Sequence, residues 1–94
     1  MLPFRLKEAR LRAKLSQQRL GVLAGIDEAT ASARMNQYER GVHTPDFDLA
    51  CRLAAVLDIP ASYFYTVEDD LAEMILNYHT DKKRRLIALN YAAQ

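Results

Sequence analysis

The stretch that decides the fold is LSQQRLGVLAGIDEATASARMNQYERG, Leu15 to Gly41. It holds two short apolar-periodic segments separated by a glycine and a polar connection. Ser16 is placed to cap a helix, because its hydroxyl can accept from a free amide one turn on. That helix spans about Gln17 to Ala24, with Leu20, Leu23 and Ala24 inward, and Gly25 stops it. Ile26-Asp27-Glu28-Ala29-Thr30 reads as an irregular connection. A further helix follows over about Ser32–Arg40, with Met35 and Tyr38 three apart on its inner side and Gly41 at its end. Its outer side carries Arg34, Asn36, Gln37 and Arg40.

The flanking chain is also helical. Leu2-Pro3 opens a first helix, since proline is tolerated in a first turn. Leu6, Ala9, Arg10 and Ala13 share one face of it. Thr44-Pro45 pairs a cap with a first-turn proline. A fourth helix then runs to Leu57, with Phe47, Ala50, Cys51, Leu53, Ala54 and Leu57 on a wide apolar face. Pro60–Tyr65 reads as a short fifth helix. Leu71, Met74, Ile75 and Tyr78 repeat at helical spacing in a sixth. Asp81 is a candidate cap for a seventh, in which Leu86, Leu89 and Ala93 line up. No run alternates as a strand would. The fold class is therefore all-α.

The chain has 94 residues, half of them apolar, which suits one modest core. A domain of this size buries a limited share of its surface, so self-association adds stability. The net charge of +1 conceals an asymmetry. Residues 1–45 carry eight Lys/Arg against four acids, whereas residues 46–94 carry five against eight. The first half is thus the one suited to face an anion. Lys82-Lys83-Arg84-Arg85 is better explained as a solvated helix start than as a second phosphate patch. The single cysteine, Cys51, lies in an apolar stretch and reads as a small buried hydrophobe. No apolar run approaches the roughly 20 residues of a membrane span. The N-terminus has no signal-peptide core. A soluble, cytoplasmic protein is expected.

Taken together, several motifs resemble the phage Cro/repressor-type, Xre-like helix-turn-helix regulators over about residues 4–65. They are Arg10 ahead of Leu15-Ser16-Gln17-Gln18, then Leu20 and Leu23-Ala24-Gly25, then Tyr38-Glu39-Arg40-Gly41. Pro45-Asp46-Phe47-Asp48, Leu53-Ala54, Leu57, Ile59-Pro60 and Phe64 complete the pattern. The resemblance implies a five-helix lambda-repressor-like domain over residues 1–66, with one or two extra C-terminal helices in residues 67–94. It implies double-stranded DNA as the partner, bound with the third helix in the major groove. The chain departs from the family in having about four extra residues between Gly25 and Glu39, centred on Asp27–Thr30. A longer turn is expected there.

Base edges in the major groove differ for all four base pairs, and paired donors or acceptors read them. Ser32, Arg34, Asn36 and Gln37 are the expected base-contacting residues, and the resemblance puts Gln37 foremost. Gln17 and Gln18 at the start of helix two, with Arg40, His43 and Thr44 after helix three, are expected at phosphates, which set register but carry no sequence information. The resemblance makes Arg10 and Glu39 an inward ion pair with a structural role. Tyr78 and Tyr91 suit a contact surface, so residues 67–94 are expected to form a homodimer interface.

No enzyme is expected. His43 and His79 are far apart, Cys51 is alone, and no pair has metal-ligand spacing. There is no glycine-rich phosphate loop and no cofactor signature. Asp46, Asp48, Asp69 and Asp70 are better explained as charges complementing helix N-termini. The rival reading is a protein-interaction module, such as an antitoxin, that uses the helix-turn-helix as a scaffold.

Overall fold

A computed structural model describes residues 1–93. Among them are five α-helices, one short 3-10 helix and no strand. The order is α1 (Pro3–Arg12), α2 (Gln17–Leu23), α3 (Glu28–Glu39), α4 (Phe47–Leu57), the 3-10 helix (Ala61–Tyr65) and α5 (Asp69–Ala93). Leu6, Leu20, Met35, Leu53, Tyr63 and Phe64 are the largest fully buried side chains, drawn from the first four helices and the 3-10 helix. One core therefore unites the whole domain.

Local chemistry sets the element ends. The Ser16 hydroxyl accepts from the Arg19 amide at 3.0 Å and starts α2. Gly25 ends the turn after α2 with φ +95°, a conformation in which a Cβ is strained. Added there, that Cβ would also lie 2.6 Å from Nη1 of Arg52, which donates to the Ala24 carbonyl. At Gly21 the reason for glycine is proximity. A Cβ would stand 3.0 Å from Met35 Cγ and 3.1 Å from Ala31 Cβ. The helices α2 and α3 cross there nearly backbone to side chain.

The connection between α2 and α3 is shorter than the sequence suggests. Helix α3 begins at Glu28 rather than near Ser32, so the extra residues lengthen the helix instead of the turn. Ala31, Met35 and Tyr38 lie at i, i+4 and i+7 and are all buried, which carries the inward stripe one turn further back. Buried Ile26 pins the connection ahead of it. Thr30 supports the first turn, donating from its amide and its hydroxyl to the Asp27 carbonyl.

Other boundaries also differ. Helix α4 starts at Phe47 because the Asp46 carboxylate, not Thr44, takes the free Leu49 amide, at 2.8 Å. Phe47 and Leu23, expected inward, are 68% and 46% exposed. The fifth element is a 3-10 helix. The expected sixth and seventh helices are one continuous α5, and Asp81 lies inside it. Nothing between Tyr78 and Arg85 is a glycine or proline. Propagating a helix through Asp81 takes far less free energy than nucleating a new one.

Helix α5 has two unlike halves. Its first half docks through Ala72, which is 1% exposed, with Ile75 and Leu76 packed on the core. The docking is locked by Arg5, itself buried. Its Nε donates to the Thr66 carbonyl at 3.1 Å, and its Nη2 to the Val67 carbonyl at 3.2 Å and to Asp69 at 2.9 Å. The guanidinium lies between the rings of Phe4 and Tyr63, 4.6 and 5.5 Å from their centroids. Further along, Asp58 at the left-handed end of α4 meets Lys83 and His79. Hydrogen bonds from Lys83 and then His79 hold the Asp58 carboxyl below its usual range. Every residue from Asp81 to Ala93 is exposed, Lys83 included.

Arg5→Lys should lower unfolding stability by about 1–3 kcal/mol, because one ammonium cannot serve three separated acceptors. Urea denaturation checks this. An unchanged midpoint would show that the Arg5 fork does not hold α5.

Candidate nucleic-acid interface

The site is built where α1, α2 and α3 converge. Arg10 near the end of α1 meets Glu39 at the end of α3 in a two-pronged pair. Its Nε donates to Oε2 at 2.6 Å and its Nη2 to Oε1 at 3.0 Å. The remaining nitrogen, Nη1, donates to the Leu15 carbonyl at 3.0 Å and so fixes the chain just before α2. The Arg10 and Glu39 side chains are 11% and 3% exposed. The hydrogen bond to Glu39 raises the Arg10 guanidinium above its ordinary value, against the opposing effect of burial. Arg10 therefore stays charged, and the pair behaves as a permanent staple.

Gln17 extends the staple. Its amide nitrogen donates to Glu39 Oε1 at 3.2 Å and approaches Asn36 Oδ1 at 3.4 Å. The sequence assigns Gln17 to a phosphate. In the structure its side chain is turned to α3, and Gln18 beside it is exposed. The angle between α2 and α3 is thus fixed twice, by contact at Gly21 and by hydrogen bonds at Gln17.

The outer side of α3 presents the residues expected to touch bases. Ser32 and Arg34 are exposed; Asn36 and Gln37 are half-buried. Arg34 is steadied by Tyr38 one turn on: its Nη2 donates to the phenol oxygen at 2.6 Å, and its guanidinium carbon lies 5.8 Å from the ring centroid. The ring is buried, so this arginine projects from a fixed base. Arg40, His43 and Thr44 are all exposed in the segment after α3. The Gln37 carbonyl accepts from the Val42 amide at 3.0 Å and the His43 amide at 3.4 Å, folding that segment back beside the helix. The structure thus brings Asn36, Gln37, Arg40 and His43 to one edge. Arg34, one turn before Gln37 and Tyr38, is held against Tyr38.

Sequence reasoning missed two residues and one contact that shape this site. Gly21 and Ala31 let the helices touch, and their only signal is small size at facing positions. The Gln17 link to Glu39 has no signal, because it joins residues 22 apart in sequence. The Arg34–Tyr38 contact was legible as an i, i+4 pair.

No group of three or more His, Cys, Asp or Glu among the described residues is placed to hold a metal ion. No described helix is long and apolar enough to cross a membrane.

Glu39→Gln leaves Arg10 buried opposite a neutral amide. The expected loss is about 3–5 kcal/mol, the range for stranding one partner of a buried pair. Thermal unfolding followed by circular dichroism measures it. A melting temperature equal to the parent's would remove the staple from its structural role.

Comparison with known proteins agrees with this geometry. The helix-turn-helix family model HTH_3 matches residues 6–64. A solved structure described as the crystal structure of transcriptional regulator BswR is similar over the full length. It shares 48% identity at a TM-score of 0.81, over 100% of this chain and 99% of that one. No curated protein matches the chain. A match that spans the α2–α3 pair, its stapling helix α1 and the core beneath them shows that the chain belongs to the Xre-like helix-turn-helix family.

Proposed function

We propose that the protein is a sequence-specific DNA-binding transcriptional regulator that works as a homodimer on a palindromic operator. One observation carries the reading: amide and guanidinium groups, exposed at Arg34 and half-buried at Asn36 and Gln37, on a helix whose angle is fixed by a buried ion pair. A solvated surface helix has no need of such rigid seating. A helix inserted in the major groove does, since a small misplacement separates side chains from base edges. Family membership and the similar transcriptional regulator support the same conclusion.

On this reading Gln37 and Asn36 meet base edges, with Arg34 and Ser32 at the flanks. Gln18, Arg40, His43 and Thr44 lie at phosphates. Gln17 joins them through its backbone amide at the start of α2, while its side chain holds α3. The protein acts by occupancy and without catalysis, and DNA bound at the operator changes access for polymerase. A homodimer through residues 67–94 supplies the two copies of α3 that a palindrome needs. Two half-sites are then about 34–36 Å apart, one turn of duplex. The interaction-module alternative draws its support from the same uncovered end of α5.

The deciding experiment selects bound duplexes from a random pool. The winner and random DNA are then titrated at two salt concentrations. A palindromic winner bound about a thousandfold more tightly than random DNA establishes the regulator. No enriched sequence would turn the reading to the protein-interaction alternative. Gln37→Ala should weaken binding to the winner by about 1–3 kcal/mol and leave random DNA nearly unchanged. An equal loss on both would make Gln37 a backbone contact.

Leu89→Asp separately tests the dimer. Leu89 is 66% exposed in the single chain, so its replacement should spare the fold. Light scattering at tens of micromolar should give a dimer for the parent and a monomer for the variant. A monomeric parent would remove residues 67–94 from this role.

A further inference from the structure

Three polar side chains at the junction of α2 and α3 form a relay of hydrogen bonds from the core to the surface. Its inner end is Glu39, whose side chain is 3% exposed and gripped by Arg10. Gln17 is the middle link. Its amide nitrogen, Nε2, lies 3.2 Å from Glu39 Oε1 and 3.4 Å from Asn36 Oδ1. Asn36 is the outer end, half-buried on α3.

The chemistry of the three groups gives this relay a direction. A carboxylate only accepts hydrogen bonds, whereas a primary amide has one end that donates two hydrogens and one that accepts. Glu39, paired with a guanidinium, must take a donor from Gln17 and so draws the Gln17 nitrogen towards itself. One hydrogen of that nitrogen goes to Glu39, and the other is available to Asn36. Asn36 meets it with its oxygen. Turning the Asn36 amide over would set nitrogen against nitrogen, two donors with no acceptor between them. The Asn36 oxygen is thereby occupied, and Nδ2 is the end that remains.

This decides what Asn36 can read. An asparagine with both ends free pairs with adenine, donating to N7 and accepting from N6. With its oxygen taken it can only donate, and the adenine N6 amino group would then face another donor. Guanine offers two neighbouring acceptors, O6 and N7, and no donor beside them in the major groove.

We propose that Gln17 is a positioning residue that makes Asn36 a donor-only reader, and that Asn36 selects a G·C pair over an A·T pair. This deepens the DNA-binding reading above and rests on it. The buried carboxylate then does more than seat α3. Through Gln17 it also sets which end of an asparagine amide reaches the groove.

Selection from a random pool with the parent and three variants tests this. Asn36→Ala locates the position, as the one whose base preference disappears. There the parent should favour G·C over A·T by about tenfold in affinity. In Gln17→Ala the Asn36 amide is free to turn. A·T should then rise to near parity with G·C at that position, while the other positions keep their preferences. A merely structural role for Gln17 would weaken all positions together. Asn36→Asp still accepts from Gln17 but has no donor to offer, and should lose the G·C preference. An A·T pair favoured there by the parent would overturn the inference and leave the regulator standing. So would a Gln17→Ala profile equal to the parent's, or a G·C preference that survives in Asn36→Asp. If Asn36→Ala alters no position, Asn36 reads no base and the inference falls. No enriched sequence with the parent would remove the regulator reading and this inference with it.

Discussion

The Arg10–Glu39 pair is the constraint on which the rest of the site depends. It lies where three helices meet, and each of its groups is engaged more than once. Arg10 holds Glu39 with two nitrogens and the approach to α2 with the third. Glu39 in turn accepts from Gln17. Burying a charged pair carries a desolvation cost, and replacing it by apolar residues is often neutral for stability. Its value is therefore better sought in geometry. Apolar contacts between α1 and α3 would permit small rotations. A bidentate guanidinium–carboxylate contact permits few. If the protein presents side chains to base edges, as proposed, that stiffness is what the ion pair supplies.

The sequence makes the architecture legible wherever one residue decides a local event. Ser16 caps α2, Gly25 turns the chain after it, and Met35 with Tyr38 shows which side of α3 is inner. Legibility failed where two local signals competed. Thr44 and Asp46 are both good caps, and in the fold it is Asp46 that takes the free Leu49 amide. Asp81 is a good cap in isolation, yet the helix on either side of it is strong enough to run through. Asp27–Thr30 looked like a connection because it is polar. Ala31 behind it is buried, and that single contact with Gly21 draws one more turn into α3.

The site divides in the same way. Residue types on α3 announce its outer face, since polar side chains at helical spacing lie opposite the buried stripe. What they cannot announce is which of them is held. Arg34 is braced on Tyr38 and Asn36 is approached by Gln17, whereas Ser32 stands open. Arg5 is the plainest omission. In the sequence it is one of several basic residues near the N-terminus; in the structure it is buried and reaches across to acceptors more than 60 residues away. Nothing in periodicity marks a long-range partner of that kind.

The unbroken course of α5 gives these docking contacts a second meaning. A helix without glycine or proline over 25 residues behaves as a stiff rod, about 37 Å long at 1.5 Å per residue. Its direction is set where it leaves the domain, by Arg5, Ala72 and the Asp58 cluster. In the proposed dimer the distance between the two DNA-facing helices is then determined inside each protomer, not at the surface where the protomers meet. The rod acts as a ruler, and its zero mark is the Arg5 fork. The operator spacing would be encoded far from any residue that touches DNA.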